Sequence, residues 1–166
     1  GKRAMFESHI TLKLLREFLQ SGFGVKTSID MINSALCLKL DYECFSTVDL
    51  LCIDLMTGIC EFFKIGGSES IVLHGPNVER LFLLPDIKVQ GQAKRLDDGD
   101  IIIMMSDGIS EAGFGTVRTD WLKKEIKMPF DTMDEMSQSV IENAVKKSRD
   151  AVIDDMTVAT IRLIRN

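Results

Sequence analysis

The run Asp100-Ile101-Ile102-Ile103-Met104-Met105 constrains the fold more than any other stretch of the chain. It is apolar at nearly every position, so both of its faces must be buried if it is a strand. Asp97-Asp98-Gly99 precedes it and Ser106-Asp107-Gly108 follows it. These turn-forming residues restrict it to strand length rather than helix length. Such a strand needs other elements packed against it on both sides.

The rest of the chain supplies candidates. Ile10, Leu14, Leu15, Phe18 and Leu19 recur at helical spacing in the first ~20 residues. Leu12 widens that apolar arc, so cover is expected on more than one side. Gly22 and Gly24 end this helix. A second helix carries Ile29, Ile32, Ala35 and Leu36 on one face, with Thr27 or Ser28 as its expected cap. The period then changes from helical to alternating. Ser46–Leu55 and Ile59–Ile65 read as strands joined at Met56-Thr57-Gly58. Ser70–His74 and Val78–Leu84 flank the turn Gly75-Pro76-Asn77, and Lys88–Leu96 reads as a further strand. Asp98-Gly99 reads as a plain hairpin turn, and a glycine-containing loop is expected after Asp107-Gly108. A helical stretch covers Trp121–Ile126, and a longer helix starts at Thr132 with capping-box spacing to Glu135. Met156–Ile164 is the last strand. Two helices, a run of strands, helix and strand, with hairpin-like connections, imply an α+β layered fold with a mainly antiparallel sheet.

Bulk properties narrow the function. The chain has 166 residues and a formal net charge of -5. Its basic residues are scattered rather than gathered in a stripe, which argues against nucleic-acid binding. No apolar run reaches the ~20 residues needed to span a bilayer, so no membrane contact by this domain is expected. Cys37, Cys44, Cys52 and Cys60 contain no Cys-x-x-Cys pair, which makes a zinc site or a disulfide framework a poor fit. Free, mostly packed thiols and a cytoplasmic setting are expected.

Two acidic spots sit at strand ends. Asp107 follows the apolar strand, and Gly108 lets the backbone turn beside it. Asp154-Asp155 precedes the last strand. If these two strands are antiparallel neighbours, Asp107 and Asp154 share one rim of the sheet. Carboxylates converging at a rim make an oxygen-rich site for a hard cation such as Mg²⁺ or Mn²⁺. Taken alone, either motif reads equally well as an ordinary solvated turn. His9 and His74 are isolated in sequence and read as surface or packing residues.

The wording of the motifs adds more. Ile-Met-Met-Ser-Asp-Gly-Ile, followed about 45 residues later by Ile-Asp-Asp-Met-Thr-Val, resembles the PPM-type metal-dependent serine/threonine phosphatases. The stage II sporulation protein E phosphatase domains are the more similar branch. Gly1-Lys2-Arg3-Ala4-Met5-Phe6-Glu7-Ser8, Phe45–Leu50 and Phe63–Ser68 carry further resemblance, whereas Pro76–Ala93 matches poorly. The resemblance implies a β-sandwich flanked by helices. It implies catalytic, metal-binding roles for Asp107 and Asp154, with Gly108 holding the turn and Asp155 supporting from behind. It further implies two Mn²⁺ or Mg²⁺ ions in a complete domain, a phosphorylated anti-anti-sigma factor as substrate and partner, and first helices that switch metal affinity. A possible membrane anchor in the parent protein would leave this domain on the cytoplasmic side.

Two departures qualify what is expected. The family's first metal motif would lie just before Gly1, and Leu84-Pro85-Asp86 is shorter than the matching family loop. Residues 1–166 are therefore expected to be one phosphatase domain without its first strands and first metal motif, exposed at its sheet edges and able to form a homodimer. The competing expectation is a catalytically incomplete phosphatase-like module that acts in partner binding or regulation. A stress-response phosphatase of the same superfamily, with another substrate, would share the chemistry.

Overall fold

The computed structural model describes residues 2–39, 47–82, 89–112, 120–148 and 154–165. Two helices come first, α1 (Lys2–Gln20) and α2 (Val25–Lys39). Six strands follow: β1 (Val48–Ile53), β2 (Ile59–Ile65), β3 (Ser70–His74), β4 (Asn77–Leu81), β5 (Gln90–Arg95) and β6 (Ile101–Met105). Then come α3 (Asp107–Ser110), α4 (Asp120–Glu125), α5 (Met133–Lys147) and β7 (Val158–Arg162).

The strands form two antiparallel sheets, one ordered β1-β2-β5 and the other β4-β3-β6-β7. Alternation along each strand makes four layers. Cys60 and Phe62 of the first sheet pack against Val72, Leu81 and Ile102 of the second, which fills the space between the sheets. Ile65, with Val48, Leu50 and Phe63, turns the other way onto Leu15, Ile29 and Ile32 of α1 and α2. On the far side, Ile71, Ile103 and Met105 meet Ile109, Leu122, Met136 and Val140 of the later helices. Strand β6 is thus covered on both faces, as its composition requires. Each fully buried side chain such as Phe62 or Ile103 contributes about 1.5–3 kcal/mol relative to an exposed one.

Local chemistry explains two boundaries directly. Thr132 Oγ1 accepts from Glu135 N at 3.1 Å, and the Glu135 carboxylate accepts from Thr132 N, so the expected capping box starts α5. Gly75 adopts φ +55° in the two-residue connection between paired His74 and Asn77.

Several expectations change. Helix α2 starts at Val25, ahead of the expected caps, and Ser28 is buried inside it with Oγ bonded back to the Gly24 carbonyl at 2.9 Å. Asp98-Gly99 is not a hairpin turn, because β5 and β6 lie in different sheets and the turn carries the chain across. Leu12 is not covered on a second side: it is 64% exposed, with Met5 and Phe6 exposed nearby on α1. His74 is not isolated, since its Nδ1 lies 2.8 Å from buried Asp100 and its Nε2 lies 3.5 Å from Glu79. Strands are generally shorter than their apolar runs. The expectations at Gly1, Cys44–Ser46, Leu84–Lys88, Arg149 and Ile153 lie outside the described residues, as does the side chain of Cys37. Cys52 and Cys60 are free thiols, the latter buried.

Candidate active site at the β6–β7 margin

Strands β6 and β7 are antiparallel neighbours, with Met105 opposite Val158. The end of β6 therefore meets the approach to β7, and both acidic motifs stand at the same margin. Ser106 ties them together. Its N donates to the Thr157 carbonyl at 2.9 Å, its Oγ donates to the Asp155 carbonyl at 3.0 Å, and the same Oγ accepts from Thr157 N at 2.9 Å. Sequence reasoning passed over Ser106. Its position before a helix suggests a cap, yet its hydroxyl makes no cap bond and serves the neighbouring strand instead.

Asp107 does not enter a loop; it opens the single helical turn α3. Gly108 has an ordinary helical role there, so a special backbone angle is not what calls for glycine. The requirement is space: a Cβ at 108 would lie 2.6 Å from the Asp155 carbonyl oxygen and 3.3 Å from that of Asp154. The turn and the Asp154–Asp155 backbone are in contact because residue 108 has no side chain.

Asp107 Oδ1 accepts from Gly108 N at 3.0 Å, and Asp154 Oδ1 accepts from Asp155 N at 2.8 Å. Each bond fixes its carboxylate from behind. Asp107, Asp154 and Asp155 are all exposed, and none of the three has an ion-pair partner among the described residues. Free carboxylate oxygens facing water suit a hard divalent cation by donor type. They make an incomplete set, for no group of three or more potential ligand side chains occurs among the described residues.

Beside Asp107 lies an open cavity of about 350 Å³ at the end of the sandwich, lined by Thr47, Asp49, Gly67, Ser68, Asp107 and Thr157 among others. Its wall contains a charge pair that sequence reasoning also missed. Lys64, 1% exposed, stands opposite Asp49 in the β1–β2 register and donates to both the Asp49 carboxylate and the Ser68 carbonyl. Burial pushes the Lys64 ammonium below its ordinary pKa, against the pull of Asp49. Burial likewise raises the Asp49 carboxyl, against the pull of Lys64. The available signal was the alternation of β2, which puts Lys64 on the same face as Cys60 and Phe62.

Known proteins match the chain along nearly its whole length. The pattern describing stage II sporulation protein E covers residues 1–164. The chain belongs to the stage II sporulation protein E family. Stage II sporulation protein E of Bacillus subtilis is 34% identical over the whole chain, which spans 21% of that protein. The chain thus spans about a fifth of that relative's length. A B. subtilis structure described as the PP2C phosphatase domain with a fragment of the regulatory domain is 35% identical. It superposes with a TM-score of 0.86, over 100% of this chain and 52% of that one. The catalytic domain of the serine/threonine phosphatase PstP, solved with two manganese ions, shares the fold at a TM-score of 0.73 and 14% identity, covering 97% of this chain and 82% of that one. The antiparallel sandwich flanked by helices is therefore the PPM phosphatase fold. No helix among the described residues is long and apolar enough to cross a membrane.

Proposed function

We propose that this chain is part of a metal-dependent phosphoserine protein phosphatase of the sporulation type, acting on a phosphorylated anti-anti-sigma factor in the cytoplasm. Asp107 and Asp154 are the metal-ligating carboxylates in this reading, and Mn²⁺ or Mg²⁺ is the ion. The observation that carries it is the packing of the Gly108 turn onto the Asp154–Asp155 backbone, which holds two acidic motifs distant in sequence at one margin. When bound, such an ion polarises a phosphoryl oxygen and lowers the pKa of a water. The chain's own residues prepare the place. Asp107 and Asp154 are held from behind by neighbouring amides, which leaves carboxylate oxygens turned outward. Ser106 fixes the spacing of the two backbones. The adjoining cavity offers room for a phosphoserine side chain and its flanking peptide.

The test is hydrolysis of a phosphoserine peptide from an anti-anti-sigma factor by the longer protein that contains this chain, with and without Mn²⁺. Metal-dependent phosphate release is expected; its absence under both conditions would sink the reading.

A second reading is favoured by the small ligand set among the described residues. It makes the 166-residue chain a phosphatase-like module for partner binding or regulation. Two exposed carboxylates leave most of the roughly six positions around Mg²⁺ to water, which holds the ion weakly in the absence of substrate. Calorimetric titration of the 166-residue chain alone is therefore expected to give no tight Mn²⁺ binding. Micromolar saturation at two ions would contradict this and remove the support for the second reading.

A further inference from the structure

The pair of buried Lys64 and partly exposed Asp49 has no obvious role in stability. Both residues point into the space between the sheets, on the faces that carry Leu51, Ile53, Cys60 and Phe62. An apolar pair of similar volume there would often be as stable or more so, because desolvating two charges costs about as much as their attraction returns. What a lysine adds is reach and a donor. Its ammonium extends past Asp49 to the carbonyl of Ser68, four residues further along the chain. Gly66, at φ +61°, turns the chain back, and a Cβ on Gly67 would sit 3.9 Å from Lys64 Nζ and 3.8 Å from Asp49 Cβ. The linker between the two sheets is thus folded down onto the ion pair.

That linker touches the candidate site. Ser68 Oγ lies 3.0 Å from Ser110 Oγ, at the end of α3. Ser110 Oγ in turn donates to the Asp107 carbonyl at 3.3 Å, and Ser110 N donates to the Ser106 carbonyl at 3.2 Å. A continuous line of bonded groups runs from Asp49 and Lys64 in the first sheet, through Ser68 and Ser110, to the helical turn that begins at Asp107 in the second sheet. We propose that Asp49 and Lys64 are positioning residues that clamp the Gly66–Ser68 linker and, through Ser110, hold the Asp107 turn in place. The purpose of the clamp rests on the phosphatase reading above; the clamp itself does not.

The line predicts a local effect rather than a global one. Hydrogen exchange of the whole chain, without metal, is compared for wild type, the apolar pair Asp49→Leu/Lys64→Met, and Ser110→Ala. The apolar pair keeps the core filled while removing the tether on Ser68. The amides of residues 108–111 are expected to exchange about five- to tenfold faster in either variant, the scale of one lost hydrogen bond. Amides of Val72 and Ile102 in the sheet centre are expected to keep wild-type protection, and combining the variants should give little further acceleration. Wild-type exchange at 108–111, or equal acceleration in turn and sheet centre, would overturn the clamp. If the apolar pair does not fold, Ser68→Ala, Ser110→Ala and their double variant decide instead. Non-additive acceleration supports the line, whereas full additivity or no effect overturns it. In the phosphatase-bearing protein, the Mn²⁺ concentration for half-maximal rate should rise in step. Were that protein to lack phosphatase activity altogether, the functional reading would fall while the exchange result still judged the clamp.

Discussion

Asp107→Asn is expected to lower phosphoserine hydrolysis about 10²- to 10³-fold, the scale of the several kcal/mol that a metal contributes to transition-state charge. The substitution isolates charge from structure. Asp107 Oδ1 accepts from Gly108 N at 3.0 Å, and an asparagine oxygen can accept the same bond. The residue is exposed, so no buried group loses a partner. Thermal stability should therefore stay within about 0.5 kcal/mol of wild type. Asp154→Asn obeys the same logic, because its Oδ1 is held by Asp155 N. If both carboxylates serve one site, the double variant should be scarcely worse than either single one. Turnover and Mn²⁺ dependence measured side by side check this. Unchanged turnover in Asp107→Asn would remove Asp107 from the chemistry.

The second large effect concerns Gly108, a position where the two motifs touch. Gly108→Ala places a methyl 2.6 Å from the Asp155 carbonyl oxygen, and the obstacle is backbone rather than a pliable side chain. The Asp154–Asp155 segment must move away, at a cost of about 1–3 kcal/mol for overpacking of this kind. For a chain of this size that means about 2–4 °C of melting temperature per kcal/mol. Metal-dependent activity should fall further than stability does, because the displaced segment carries Asp154. Gly24→Ala is the control: no atom lies within 4 Å of its added Cβ, and its φ is not left-handed. A melting curve and an activity assay on both variants suffice. A Gly108→Ala protein with wild-type melting and wild-type activity would show that the motifs do not depend on close contact.

Much of the fold was readable because β5 and most of β2 alternate and β6 is apolar without a break. The unbroken apolarity of Ile101–Met105 demanded cover on two faces, and α5 on one side with Phe62 and Leu81 on the other supply it. The capping box at Thr132 was readable because it is a local bond within four residues. Other features depend on contacts across the fold. Asp98-Gly99 looks like any hairpin turn, since a turn's residues do not record which sheet the next strand joins. The early start of α2 was hidden by Ser28, whose hydroxyl is satisfied inside the helix rather than at its end. At the site, the acidic residues announced themselves at strand ends, but Ser106 and Lys64 did not. Ser106 bonds across to residues about fifty positions away, and Lys64 reads as an ordinary solvated lysine unless the alternation of β2 is trusted over its charge.

The position of β7 in the sheet also matters for a chain still emerging from the ribosome. Strand β6 pairs with β3 on one side and with β7 on the other, and β7 is made last among these elements. Until it arrives, Ile-Ile-Ile-Met-Met presents a bare row of amides and carbonyls next to apolar side chains. That combination invites pairing with the wrong neighbour. The strand that delivers Asp154 to the rim thus also takes over the sheet edge from the all-apolar β6, and it carries Thr160 and Arg162 there.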